Sequence, residues 1–280
     1  MRKSLPLGEP FPEVTLSYLE QGEPTGEPVV CVHGLTRNAH DFDHLAAALA
    51  RRGRRVLAVD VVGRGGSTWL AEPMEYAVPV YARHLARFLE RLEIGPVDWV
   101  GTSMGGLIGM EIAGGGTKGI RRLILNDVGP FVPQAALAGI RSYLGLDLRF
   151  ASLAELEAHL RVIHAGFGPL TDADWRHMAL HGSRETPEGW RLGYDPQIVV
   201  AFAQAAESDL DLWACWDRID CPTFVLHGAD SPLLTEAILD QMRQRGPRPE
   251  IATLPGIGHA PALNTPDQIA IVERWLDLGN

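Results

Sequence analysis

The sequence contains few cysteines and no long apolar run. Three cysteines, Cys31, Cys215 and Cys221, are too few for a disulfide framework and lack the spacing of metal ligands. No stretch approaches the roughly 18 uncharged apolar residues that suggest a membrane span. The N-terminal segment MRKSLPLGEPFPEV starts with basic residues but lacks the apolar region of a signal peptide. We therefore expect a cytoplasmic protein.

Positive charge is also scarce. There are 25 Lys and Arg residues against 35 Asp and Glu residues, which gives a formal net charge of −10 at pH 7. Such a surface repels nucleic-acid phosphates and anionic lipids. Hydrophobic residues make up 46% of the 280 residues, enough for a large globular core. We expect a small-molecule substrate and neither nucleic acid nor a membrane as partner. Composition predicts no oligomeric state.

Short runs rich in β-branched residues alternate along the chain with segments of helical periodicity. Continuous apolar runs are typical of strands that are covered on both faces. They predict strands at 28–34, 54–63, 96–103, 120–127, 221–230 and 249–256, and a more alternating segment predicts an edge strand at 13–22. Helices are predicted at 39–53, 76–95, 106–113, 230–246 and 265–279. This alternation favours an α/β fold, a mostly parallel, doubly wound sheet with helices on both faces.

Residues 130–212 break this rhythm, because they show helical patterns but no clear strand. A structureless loop of that length is rare in a compact domain, so we predict a helical insertion. The predicted core domain then comprises residues 1–129 and 213–280. Aromatic side chains of the insertion are candidate walls of a substrate pocket: Phe131, Tyr143, Phe150, Phe167, Trp175, Trp190 and Tyr194.

A serine stands between two glycines in Gly101-Thr102-Ser103-Met104-Gly105, which matches G-x-S-x-G. The motif follows a predicted strand and opens a predicted helix, the context that makes it meaningful. Ser103 must turn sharply there in a strained conformation, and the flanking glycines let neighbouring backbone approach. The helix N-terminus favours negative charge at the serine. We predict that Ser103 is a nucleophile.

A serine nucleophile needs a base, and the base needs an acid that orients it. His259 follows the last predicted strand, in a glycine-rich turn where a catalytic group of an open α/β sheet belongs. Two aspartates also follow strands. Asp230 comes from the strand immediately before the His259 strand in sequence, so we predict it as the acid, with Asp127 as the alternative.

Acyl transfer also needs donors for the oxyanion. His33, Gly34 and Leu35 follow a predicted strand, and the N–H groups of Leu35 and Met104 are positioned to converge on one oxygen. We expect His33 to support this loop rather than to act as a second base. Because the triad supplies nucleophile, base and electrophile, no cofactor and no metal is expected.

Five motifs together resemble the α/β-hydrolase superfamily, in its serine carboxylesterase and C–C hydrolase branch. They appear in family order as VHGLTRN (32–38), DVVGRGGS (60–67), GTSMGG (101–106), LHGADSPL (226–233) and GIGHAP (256–261). The resemblance implies an eight-stranded, mostly parallel sheet with a helical cap inserted after the sixth strand. It also implies a triad of Ser103, Asp230 and His259, and a non-catalytic turn at 60–67.

A serine at the motif's centre narrows the chemistry. Dehalogenases and epoxide hydrolases of this fold use an aspartate there, so an alkyl-enzyme ester is not expected at Ser103. We predict a carboxylesterase for small or medium acyl chains, working through an acyl-enzyme. Lactone opening, thioester hydrolysis, cofactor-free perhydrolysis and C–C bond hydrolysis are alternatives on the same triad. A non-catalytic ligand-binding member of the fold is a further alternative.

Overall fold

A computed structural model describes residues 1–116, 119–144, 146 and 148–277. The remaining residues of the predicted core domain and of the predicted insertion lie outside the described ranges. The strands are β1 (Arg2–Gly8), β2 (Phe11–Gln21), β3 (Glu27–Val32), β4 (Arg54–Val59), β5 (Val97–Thr102), β6 (Ile120–Asn126), β7 (Phe131–Val132), β8 (Ser183–Thr186), β9 (Gly189–Leu192), β10 (Leu210–Asp211), β11 (Thr223–Gly228) and β12 (Glu250–Leu254).

The α-helices are α1 (Asp43–Arg51), α2 (Val78–Arg91), α3 (Met104–Gly114), α4 (Gln134–Arg141), α5 (Leu153–Ile163), α6 (Asp172–His181), α7 (Ile198–Ala205), α8 (Trp213–Trp216), α9 (Glu236–Gln244) and α10 (Pro266–Asp277). Short 3₁₀ helices lie at Ala39–Phe42, Pro73–Glu75 and Ala165–Phe167. Within the described residues, no helix is long and apolar enough to cross a bilayer.

One eight-stranded sheet organises the chain, in the order β1-β2-β4-β3-β5-β6-β11-β12. Strand β2 runs antiparallel to both of its neighbours, whereas the pairs from β4 to β12 are parallel. The predicted mostly parallel sheet is therefore confirmed. The prediction of an edge strand at 13–22 is wrong, because β1 pairs outside β2 and forms the edge. The polar sequence of β1 hid it from a search for apolar runs.

Helices cover both faces of the sheet, so the doubly wound arrangement is confirmed. Alternate residues of a strand point to opposite faces. Val30 of β3 accordingly belongs to the apolar cluster under α2, α3 and α9, while Cys31 belongs to the one under α1 and α10. Both side chains are completely buried, which explains why the parallel strands read as continuous apolar runs.

The predicted helix at 230–246 begins late, at Glu236. Residues before it form a loop in which the Ser231 hydroxyl donates to an Asp127 carboxylate oxygen over 2.6 Å. The same hydroxyl accepts hydrogen bonds from the backbone N–H groups of Leu233 and Leu234. These side-chain bonds offer the backbone an alternative to the helix, which accounts for the difference.

The helical insertion lies between β6 and β11 and contains α4, α5, α6 and α7. It also contains strand pairs that its sequence pattern did not predict: β8 with β9, and β7 with β10. Trp175 and Phe150 pack in a hydrophobic cluster confined to this segment. Its boundaries at 130 and 212, and its standing as a separate domain, stay a prediction.

Candidate active site

Ser103 sits in the turn between β5 and α3, with φ 51° and ψ −116°. A positive φ is uncommon for a residue with a side chain, so the strained turn that the motif suggests is present. A Cβ built on Gly105 would lie 2.0 Å from the Val32 carbonyl oxygen, and one on Gly101 would lie 2.3 Å from the Gly105 oxygen. Only glycine allows these backbone approaches, which bring the start of α3 against the sheet.

His259 follows β12 and connects two other side chains. Its Nε2 lies 2.8 Å from Ser103 Oγ, and its Nδ1 lies 2.7 Å from Asp127 Oδ2. An ionised carboxylate only accepts hydrogen bonds, so Nδ1 carries the ring proton and donates a hydrogen bond to Asp127. Nε2 is then free to accept the serine proton. The three side chains thus form one directed chain of hydrogen bonds.

Asp127 is fully buried just after β6. Besides the contact with His259, its carboxylate accepts a hydrogen bond from the Gly228 N–H over 2.8 Å and one from the Ser231 hydroxyl. These bonds compensate the cost of burying a charge and orient the carboxylate.

The predicted pairing of Asp230 with His259 is wrong, since the carboxylate in contact is the alternative, Asp127. Asp230 is exposed, and its backbone N–H donates to the Ile257 carbonyl. Strand β6 lies beside the serine-bearing β5, whereas β11 lies one strand further away. Strand β11 also lies between β6 and the β12 strand that precedes His259, so strand order alone does not select Asp127. The positive φ of Asp127 and the hydrogen bonds from Gly228 and Ser231 direct its carboxylate at His259 instead.

His33 holds the loop that follows β3. The Val61 N–H donates to its Nε2 over 3.0 Å, so its Nδ1 carries a proton and donates to the Gly34 carbonyl over 2.7 Å. Burial lowers the pKa of His33 to about 4 and outweighs the opposing charge of Asp60. A neutral histidine with both nitrogens engaged has no free lone pair with which to act as a base.

Gly34 and Leu35 lie beside the nucleophile, since a Cβ on Gly34 would be 3.8 Å from that of Ser103. Met104 is the first residue of α3, where an N–H has no acceptor within the helix. Both expected donor residues thus flank Ser103. Their action as an oxyanion hole stays a prediction.

Ser103 and His259 line a cavity of about 120 Å³. Apolar side chains of the insertion form one wall: Ile140, Tyr143, Ile163, Phe167 and Met178. Of the aromatic candidates for the pocket wall, Tyr143 and Phe167 line the cavity. The others do not: Phe131, Phe150, Trp175, Trp190 and Tyr194 pack in the hydrophobic clusters.

Polar side chains also line the cavity. They include Arg37, which forms a two-pronged ion pair with Asp41. His164 also lines the cavity, and burial together with the charge of Arg37 lowers its pKa well below the usual value.

A sequence model of the alpha/beta hydrolase family matches residues 29–272. The chain belongs to the alpha/beta hydrolase family.

Relatives of this alpha/beta hydrolase include the 3-hydroxybutyrate-oligomer hydrolase of Cupriavidus necator, which is 41% identical over 93% of this chain and 92% of the relative. Esterase Rv0045c of Mycobacterium tuberculosis is 28% identical over 84% of this chain and 79% of its own. Among solved structures, an alpha/beta hydrolase from Novosphingobium aromaticivorans superposes with a TM-score of 0.86 at 32% identity, covering 99% of this chain and 98% of that one.

Arg64 was missed by sequence reasoning, which treated residues 60–67 as a structural turn. Its side chain is fully buried in this alpha/beta hydrolase. Nε donates to the Leu35 carbonyl over 2.8 Å, and an Nη lies 3.6 Å from the Met104 sulfur. Arg64 therefore contacts both residues that are expected to hold the oxyanion. An arginine flanked by glycines within this turn was the available signal.

Proposed function

We propose that this alpha/beta hydrolase cleaves carboxylic esters through an acyl-enzyme on Ser103, with His259 as base and Asp127 as acid. The observation that supports this is the continuous hydrogen-bond chain from Asp127 through His259 to Ser103, which opens into a cavity. Nucleophile and base are within hydrogen-bond reach, and a third group orients the base.

The first half-reaction forms the acyl-enzyme. Ser103 Oγ attacks the ester carbonyl carbon while its proton passes to His259 Nε2. The developing imidazolium is stabilised by Asp127, and the carbonyl oxygen becomes an oxyanion next to the Leu35 and Met104 N–H groups. As the C–O bond breaks, His259 returns the proton to the leaving alcohol.

The second half-reaction releases the acid. Water loses a proton to His259 and attacks the acyl carbon, and the resulting tetrahedral intermediate collapses with protonation of Ser103 Oγ. The overall reaction consumes one ester and one water and yields an alcohol and a carboxylic acid.

For the substrate class, we propose esters with short acyl units, in particular short oligomers of a 3-hydroxy acid. The cavity of about 120 Å³ is small beside the roughly 300–1,000 Å³ of pockets for drug-sized ligands. Similarity to a 3-hydroxybutyrate-oligomer hydrolase at 41% identity over nearly the whole chain supports this choice. Neutral polar side chains that line the cavity, Thr36 and Asn264, suit the hydroxyl end of such oligomers. The cytoplasmic location stays a prediction.

The test is hydrolysis of p-nitrophenyl esters from acetate to laurate and of a 3-hydroxybutyrate trimer. We expect wild type to prefer short acyl chains and to cleave the trimer. Ser103→Ala should lose at least about 10⁴-fold in kcat, since the nucleophile is gone. Ser142→Ala is the matched control, because Ser142 is exposed and its hydroxyl donates to the Gly139 carbonyl of the same helix end.

Other results would redirect the proposal. Covalent labelling of Ser103 by a fluorophosphonate without ester turnover would overturn the substrate class and direct the search to lactones and C–C bonds. Failure of both labelling and turnover would contradict an active serine and favour a ligand-binding protein.

A further inference from the structure

Four side chains with metal-ligating atoms meet outside the triad. His40 lies in the 3₁₀ helix that precedes α1, and Asp43 is the first residue of α1. His177 and His181 are one turn apart on α6 of the insertion. One ligand atom from each of the four lies within 4.8 Å of all the others. The cluster therefore joins two parts of the chain that are more than 130 residues apart.

The carboxylate of Asp43 already holds two of the histidines. Its Oδ2 lies 2.7 Å from His40 Nδ1 and 3.1 Å from His177 Nε2. The ring of His181 stacks on that of His40 with centroids 3.7 Å apart, and it lies 4.5 Å from the ring of His177. The four groups are thus in mutual contact, and none of them takes part in the triad.

Three imidazoles and one carboxylate are the donor set that tetrahedral zinc sites use. Zinc binds such ligands at about 2.0–2.2 Å, so ligand atoms lie roughly 3.4 Å apart around the ion. The largest separation between two ligand atoms of the cluster, which is at most 4.8 Å, would have to shorten by up to about 1.4 Å. Each of the four side chains is partly exposed, so a small rotation of the rings meets little packing resistance.

We propose that His40, Asp43, His177 and His181 bind one divalent transition-metal ion of the zinc class, which joins α6 to the start of α1. On binding, the ion replaces the hydrogen bonds that Asp43 now accepts from the two histidines, and those nitrogens release any bound proton to solvent. The ion performs no step of ester hydrolysis, because the triad is complete without it.

The site also affects access to the cavity. His40 and His177 line it, as do Asp174 and Met178 of α6. An ion that joins α6 to α1 would hold the insertion against the sheet domain beside the cavity. Substrate entry and product release that need movement of α6 would then slow down. This consequence for turnover rests on the proposed function, whereas metal binding does not.

The experiment titrates Zn²⁺ into chelator-treated protein against a chromophoric chelator, and follows Tm in parallel. We expect one equivalent to bind and Tm to rise with Zn²⁺ concentration. His177→Ala and His181→Ala should each weaken binding by at least about 10–100-fold. Losses of that size follow the mutation of residues that only hydrogen-bond to the ligands of a metal site. Co²⁺ in place of Zn²⁺ should give the visible absorption of a tetrahedral site.

His44→Ala is the matched control, because His44 is a neighbouring exposed histidine outside the cluster. It should bind Zn²⁺ as wild type does. Circular dichroism without metal shows whether each variant is folded. If one of the two ligand variants is unfolded, metal binding by the other tests the proposal. Ester hydrolysis by the chelated wild type should persist and should fall on addition of Zn²⁺.

Two results would overturn the proposal. One is the lack of saturable binding of a single equivalent. The other is binding that survives in both ligand variants but disappears in His259→Ala, which would place the ion on the catalytic histidine. Loss of ester hydrolysis in both the chelated and the metal-loaded protein, with binding intact, would contradict the proposed function and not the metal site.

Discussion

At the scale of single residues, Asp127 is the most constrained member of the triad. It has a φ of 56°, in the left-handed region, and its side chain is completely buried. Asp and Asn tolerate this conformation better than most residues. The unusual backbone turns the carboxylate from the end of β6 towards His259, and the bonds from Gly228 and Ser231 keep it there.

Replacement of the two candidate acids separates their roles. Asp127→Asn should lower kcat by about 10²–10⁴-fold, because an amide no longer selects the productive histidine tautomer. Asp230→Asn should leave kcat unchanged, since the Asp230 side chain is exposed. Steady-state kinetics with a short p-nitrophenyl ester measures both. An equal loss in Asp230→Asn, with the fold intact, would show that Asp127 is not the catalytic acid.

At the scale of elements, the close approach of α3 to β3 depends on a residue without a side chain. The Cβ that alanine would add at Gly105 meets the Val32 oxygen at 2.0 Å, and this neighbour is backbone that cannot rotate away. For Gly139, in the middle of α4, no described residue beyond its chain neighbours and the helix backbone places an atom within 4 Å of the corresponding position.

Alanine at these two glycines should therefore have opposite effects. Gly105→Ala should lower the free energy of unfolding by about 1–3 kcal/mol through overpacking, and should also lower kcat because α3 carries Met104 beside the nucleophile. Gly139→Ala should raise stability by about 0.5–1 kcal/mol, since alanine favours the helix. Denaturant unfolding measures both changes. Equal stability of the two variants would show that α3 can move away from β3.

At the scale of the whole molecule, buried neutral histidines link stability to pH. Burial lowers the pKa values of His33 and His84 to about 4, and that of His164 well below the usual value. A histidine in the unfolded chain titrates near 6.5, so the unfolded state binds more protons between these values. Stability is then full above pH 6.5 and falls as pH drops towards 4.

The completely buried His33 should account for up to about 3 kcal/mol of this loss. Denaturant unfolding at pH 7, 6 and 5 should show a falling free energy of unfolding. His33→Gln cannot take up the proton, so its stability should depend on pH less steeply than that of wild type. A wild-type curve that is flat between pH 7 and 5 would contradict this linkage.

Local sequence patterns were sufficient to predict most of the fold. Continuous apolar runs predicted six of the eight strands of the main sheet, because parallel strands that are buried on both faces are continuously apolar. An alternating segment predicted a seventh, β2. The missed strand, β1, is polar and mostly exposed. The serine turn was also visible, since its glycines and its place between strand and helix are local features.

Contacts across the sheet and between its parts were decided only by folding. Asp127 and Asp230 both follow strands, and their sequence contexts do not say which carboxylate the folded backbone directs at His259. The metal-ligating cluster likewise joins two pairs of residues that each have a local spacing of three or four, but the sequence does not show that the two pairs meet. Periodicity and turn chemistry are properties of neighbouring residues and can be read along the chain, whereas proximity of distant side chains depends on strand order and on how the insertion packs.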